Sequence, residues 1–228
     1  MARLRDVARL IAEVRGRVRA ASGSTVPELR RVRRGLSAVC RDMGPESVLE
    51  AAVELLRGET EVPRWLVYEL VHHHAPSMTV LDADRLLRLG EGMASWGDVD
   101  PFACYLSGPV WREGRVADAE IHRWAASPDR WWRRAALVST VPLNNTARGG
   151  RGDAERTLVV CGLLHGDRDD MVVKAMSWAL RELSKKDRGA VESHVEKYRD
   201  VLAARVVREV ERKLATGLKD PRRRGRGG

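Results

Sequence analysis

The chain has few cysteines, no long apolar run and almost no strand signal, and each shortage excludes a class of protein. Its three cysteines, Cys40, Cys104 and Cys161, are odd in number and far apart. They supply no disulfide framework, no CxxC zinc pattern and too few thiolates for an iron–sulfur cluster. Free buried thiols in a reducing, cytoplasmic setting are expected. No stretch of ~18 apolar residues occurs, so no membrane span is expected. The first residues are amphipathic and arginine-rich without an apolar h-region, which does not fit a secretory signal, and Asp6 and Glu13 weigh against a transit peptide. β-Branched residues do not alternate, and no Asn-Gly hairpin signal is present. No phosphate-binding glycine loop occurs, since Gly149-Gly150 lacks a strand before it and a helix after it. Ser139 and Ser177 lack a G-x-S-x-G elbow. His72-His73-His74 points three ways around a helix, about 100° apart, and reads as a solvated helix end, not a metal site.

What is abundant is positive charge. Lys and Arg number 41 against 32 Asp and Glu, for a net charge of +9 over 228 residues. Such an excess points to nucleic acid or another anionic surface. The excess is uneven. Arg3, Arg5, Arg9, Arg15, Arg17, Arg19, Arg30, Arg31, Arg33 and Arg34 crowd the start, and Arg222, Arg223, Arg224 and Arg226 crowd the end.

Helical punctuation dominates. Pro27-Glu28 opens a helix with a buried stripe of Leu29, Val32, Leu36 and Val39. Gly44-Pro45-Glu46 starts the next, and Pro63 a third that Pro76 ends. A fourth is expected through Val80, Leu81, Leu86, Leu87 and Leu89. A new helix begins with Asp98 as N-cap and Pro101 in its first turn. Later helices are expected near 115–125, 129–141, 154–164, 169–185, 188–198 and 201–215. The segment 144–153 is too long and glycine-rich for a simple turn, and reads as a loop carrying Arg148 and Arg151, either free or reaching into a groove. Trp65, Trp111, Trp124 and one of Trp131 and Trp132 are expected in the core. Glu69 and Glu182 are expected as ion-pair partners on solvated helix faces.

Three landmarks recur at about one helical-repeat length. Trp96/Asp100, Arg134 and Trp178 are separated by 38 and 44 residues. HEAT-type repeats have a period of roughly 40–47 residues, and matching phases of stacked repeats share one face. The fold expected is therefore all-α: an α-solenoid of HEAT-like repeats with a concave basic face, divided into an arginine-rich N-terminal helix or arm (1–25), a repeat domain (26–216) and a disordered basic tail (217–228). No heptad seam suggests assembly, so a monomer is expected.

The residues around these landmarks carry a resemblance. Trp96-Gly-Asp-Val-Asp100 resembles the W-x-x-V-D signature of the AlkD-like DNA alkylation repair glycosylases. The blocks from Ser127 to Leu137 and from Val173 to Leu183 are similar to the next two blocks of that family, in the same order, and Val26 to Arg30 is similar to its N-terminal helix start. The resemblance implies excision of cationic N3- or N7-alkylpurines from double-stranded DNA without full extrusion of the base. It implies catalytic roles for Asp100, Trp96, Trp178 and Arg134, and no metal or nucleotide cofactor. Arg134, Arg181, Lys174, Arg148 and Arg151 are the expected DNA contacts. The chain departs from the family at Gly97, in the loop at 144–153 and in its basic tail. A module of the same fold that binds branched or damaged DNA without excision is the alternative.

Overall fold

The computed structural model describes residues 2–21, 23, 25–58 and 62–218. The arginine cluster Arg222–Arg226 of the expected tail lies outside them. Among the described residues every regular element is helical, so the all-α expectation holds. The chain folds into two compact units, 1–116 and 117–228.

The first unit contains α1 (Ala2–Ala20), α2 (Val26–Cys40), α3 (Pro45–Arg57), α4 (Arg64–His72), α5 (Ala75–Val80), α6 (Ala83–Gly90), α7 (Trp96–Phe102), a π-helical turn (Ala103–Ser107) and α8 (Gly108–Arg112). α1 packs on α2 and α3, α3 on α4, and α4 on α7. The starts of α2 and α3 follow their prolines, and Thr25 with Glu28 closes a capping box on α2. Pro76 does not simply end a helix: it sits in the first turn of α5, which His74 caps by accepting from the Ser77 N–H. The expected fourth helix is split at Leu81-Asp82, because the Asp82 carboxylate caps α6 through the Arg85 N–H at 2.9 Å. Its core is leucine- and valine-rich, with Trp111, Tyr68 and Phe102 fully enclosed.

The second unit contains α9 (Asp118–Ala125), α10 (Arg130–Ser139), α11 (Val141–Asn144), a 3₁₀ turn (Thr146–Arg148), α12 (Ala154–Leu163), α13 (Asp170–Leu183), α14 (Arg188–Lys197) and α15 (Ala204–Thr216). Aspartates cap four of these: Asp129, Asp153, Asp169 and Asp187 each accept from a first-turn N–H of α10, α12, α13 and α14, and Asp118 adds negative charge in the first turn of α9. α13 is the centre of the unit and packs against both α10 and α15. Packing between helices close in sequence is what a helical-repeat chain requires.

Several expectations are corrected by burial. Glu69 and Glu182 do form ion pairs, but both are buried, not on solvated faces. Glu69 reaches Arg30 at 3.2 Å and Arg33 at 3.4 Å. His74 is buried as a helix cap, so the histidine triplet is not simply a solvated end. Among the described residues no cluster could hold a metal ion. Trp111 and Trp124 are core residues as expected, while Trp65, Trp131 and Trp132 are all half-buried. The three cysteines are free and buried.

The segment 144–153 is folded, not loose. The Asn144 amide donates to the Thr140 carbonyl and the Thr157 hydroxyl, and its Oδ1 accepts from the Asp153 N–H. The Gly150 and Gly152 N–H groups donate to the carbonyls of Asn145 and Leu143. Asn145 donates in turn to buried Glu182 at 2.9 Å. A glycine-rich stretch looks mobile in sequence; here the glycines permit close backbone contact instead.

Candidate nucleic-acid interface

In the first unit the candidate residues sit at the start of α7. The helix begins three residues earlier than its sequence suggests, with Ser95 as N-cap. Asp98 is therefore at the third helical position, where its carboxylate accepts from the Ser95 hydroxyl at 2.9 Å and the Ala94 N–H at 3.1 Å. Its capping role is kept, but in the capping-box position. Trp96 is the first helical residue and is 62% exposed. Asp100 is four residues on and half-exposed. Positions i and i+4 share one helix face, so the indole and the carboxylate are neighbours on that surface.

Pro101 lies inside this helix, not in its first turn region. A proline there cannot donate to the carbonyl of Gly97, four residues back. The irregularity is absorbed just downstream, where the chain widens into a π turn and the Gly108 N–H donates to the Ala103 carbonyl. Single π turns inserted in helices are frequent at functional sites. The His72 ring approaches the Tyr105 carbonyl in this turn at 2.8 Å, tying it to α4.

In the second unit α13 presents a half-exposed stripe of Met171, Lys174, Trp178 and Arg181. Their three- and four-residue spacing places them on one face. Arg134, from α10, is buried and donates from Nη1 to the Met171 carbonyl at 2.5 Å. That bond ties the guanidinium to the first turn of α13. The cations of the stripe are ion-paired. Lys174 lies 2.5 Å from Asp170, which also meets Arg205 at 3.2 Å. Those hydrogen bonds and charges, with Lys174 foremost, hold the Asp170 carboxyl below its usual range.

Glu209 of α15 organises the other end. It accepts from the Ser177 hydroxyl at 2.6 Å and the Arg205 Nε at 2.9 Å, and lies 3.9 Å from Arg181. Burial raises the Glu209 pKa, but these hydrogen bonds outweigh it and the net shift is downward. Arg181 also donates to Ser177 at 3.1 Å, and its burial makes its cation less favourable than usual. The Arg205–Glu209 pair has the i,i+4 spacing that sequence inspection can find; the Ser177–Glu209 contact spans 32 residues and has no local signature. Of the loop cations, Arg151 is exposed and Arg148 half-exposed on the 3₁₀ turn.

Residues 8–214 match the model of the DNA alkylation repair enzyme family, and the chain belongs to that family. No curated protein matches the chain significantly. Among the described residues no helix is long and apolar enough to cross a membrane.

Proposed function

We propose that the protein is a monofunctional DNA glycosylase. It hydrolyses the N-glycosidic bond of purines alkylated at N3 or N7 in double-stranded DNA, without turning the base fully out of the helix. The observation that supports this best is the Trp96–Asp100 pair. Asp98 caps α7, and Asp100 stands one turn from a largely exposed indole.

An N3- or N7-alkylated purine already carries a positive charge. When the bond to C1′ breaks, the electron pair leaves with the base and neutralises it, so no acid is needed. Positive charge then grows on the sugar as an oxocarbenium ion. Asp100 stabilises that charge and orients the water that attacks C1′; the water's proton passes to solvent. A preorganised group of this kind contributes ~3–4 kcal/mol. Trp96 and Trp178 offer π faces to the cationic base, each worth ~0.5–2 kcal/mol. Arg134, tied to the Met171 carbonyl, contacts backbone phosphate near the lesion, with Lys174, Arg181, Arg148 and Arg151 as further phosphate contacts. The reaction uses no metal or nucleotide cofactor, and the protein acts as a monomer.

Single-turnover release of 7-methylguanine from a duplex tests the proposal. Asp100→Asn is expected to slow release by about 10²–10³-fold while leaving duplex affinity near that of the parent. Loss of affinity and release together would make Asp100 a structural residue, and absence of release by the parent protein would leave a non-catalytic DNA-binding module.

A further inference from the structure

The arginines of α2 divide into two sets. Arg30 and Arg33 turn inward to the buried Glu69 carboxylate, and Arg30 also lies 5.8 Å from the Trp65 ring centre. Arg31, Arg34 and Arg41 do not. All three are exposed, as is Ala38 between them. Their spacing of three and seven residues places them along one helix face, over about 15 Å. Among the described residues none of the three has a carboxylate within ion-pair distance. Glu28, one turn before Arg31, gives Oε2 to the Thr25 N–H and hydroxyl, and is left with a charge attraction to Arg31 that is the smallest of the influences on its carboxyl. Arg17 of α1, which is itself paired with Glu13 at 2.8 Å, comes close to this stripe. Its Nη1 lies 3.1 Å from where a Cβ on Gly35 would stand, so a glycine between Arg34 and Leu36 makes room for another guanidinium. Elsewhere many surface arginines, such as Arg123, Arg188 and Arg199, are matched to acids on the same or a neighbouring helix.

We propose that this face of α2, with Arg31, Arg34 and Arg41, is a docking surface for the sugar–phosphate backbone of duplex DNA, separate from the residues assigned to the chemistry. A row of exposed guanidiniums without close ion pairs, with a small residue between them, suits a regular line of phosphates, which presents charge without demanding a pocket. It reads no sequence; it adds affinity and fixes orientation. The inference rests on the reading of the chain as a DNA-binding protein, but not on its being a glycosylase.

The experiment is a salt titration of binding to undamaged duplex DNA. Each phosphate neutralised contributes about 0.9 to the log–log salt slope. The triple variant Arg31→Gln/Arg34→Gln/Arg41→Gln should lose about 2.7 from that slope. The ratio of parent to variant affinity then shrinks roughly 40-fold between 50 and 200 mM salt. The matching Arg→Lys triple should keep the parental slope, which separates lost charge from lost fold. Arg123→Gln/Arg188→Gln/Arg199→Gln removes equal charge from ion-paired positions and should leave the slope unchanged. An unchanged slope in the first variant, or equal losses in the first and third, overturns the proposal. So does a parent that binds anionic vesicles and not DNA. Because the duplex carries no lesion, failure of base release does not affect the outcome.

Discussion

Replacing Gly150 by alanine puts a methyl group where the backbone of α11 already stands. An ideal Cβ there would lie 2.5 Å from the Pro142 carbonyl oxygen, 2.6 Å from the Leu143 carbonyl carbon and 2.7 Å from the Asn144 nitrogen. Non-bonded heavy atoms prefer about 3.5–4.0 Å, and backbone cannot rotate aside as a side-chain tip can. Relief requires moving 144–153 away from α11, which strains the Gly150 N–H bond to Asn145 and the Gly152 N–H bond to Leu143. Overpacking costs ~1–3 kcal/mol, and each buried hydrogen bond lost adds ~1 kcal/mol. The smaller entropy of the unfolded alanine chain returns ~0.4–1 kcal/mol. The net expectation is a loss of about 2–4 kcal/mol. Urea denaturation should show a lower midpoint at constant slope. Gly149 is the control: it is exposed with φ +82°, and Gly149→Asn should cost no more than about 1 kcal/mol, because asparagine tolerates the left-handed region. A Gly150→Ala protein within about 0.5 kcal/mol of the parent would refute the claim that this segment is part of the folded framework.

Two other perturbations read the buried charges. Glu69→Gln leaves Arg33, whose side chain is 11% exposed, without its counter-charge, whereas Arg30 is 49% exposed and can rehydrate. Loss of about 3 kcal/mol is expected for Glu69→Gln and under about 1 kcal/mol for Arg30→Gln; equal midpoints for the two in urea would contradict this. His194 is held neutral, its pKa lowered to about 4 by burial first and by Lys197 and His165 next. The unfolded chain then binds more protons below the ordinary value of 6.5, so this stability is complete above that value and is lost as pH falls through about 4. The full effect is of the order of 3 kcal/mol, and His194→Asn should flatten the fall in unfolding free energy between about pH 6.5 and about pH 4. Parallel curves for parent and variant would show that the fall arises elsewhere.

Helices were legible wherever proline and capping residues punctuate the chain. α2 and α3 begin at their prolines, and the second unit follows the spacing of its aspartate caps. The errors have physical causes. Aspartate favours the N-cap, which points to Asp98, yet Ser95 is available three residues earlier and lets Asp98 cap from inside the helix. The hydrophobic run from Val80 to Leu89 hid the Asp82 cap, because apolar periodicity survives a short break. The folded state of 144–153 is hidden in the sequence because glycine has two uses that composition does not separate: freedom, and close approach. Of the candidate residues, only Trp96–Asp100 and the stripe from Lys174 to Arg181 follow from helical spacing. The tie from Arg134 to Met171 joins residues 37 apart and needs the fold.

The same distinction decides where a basic protein meets DNA. A net charge of +9 fixes the sign of the attraction but not its location. Arg33, Arg85, Arg133 and Arg205 are each within reach of a carboxylate on another segment, so they tie parts of the fold together and contribute little outward field. The stripe on α13 is of this kind too: Asp170 and Glu209 stand behind Lys174 and Arg181, which favours short-range, oriented contact over long-range attraction. On α2 the exposed Arg31, Arg34 and Arg41 have no close ion pair among the described residues, and Glu28 is hydrogen-bonded to Thr25. On the function proposed above, a protein searching undamaged duplex needs the second kind of surface to stay on the backbone, and the first kind for oriented contact at a lesion. Salt should therefore weaken the search far more than the chemical step: raising it should lower the affinity for lesion-bearing duplex steeply, while the release rate at saturating protein changes little. A release rate at saturation that falls with the same slope as affinity would place both tasks on one surface.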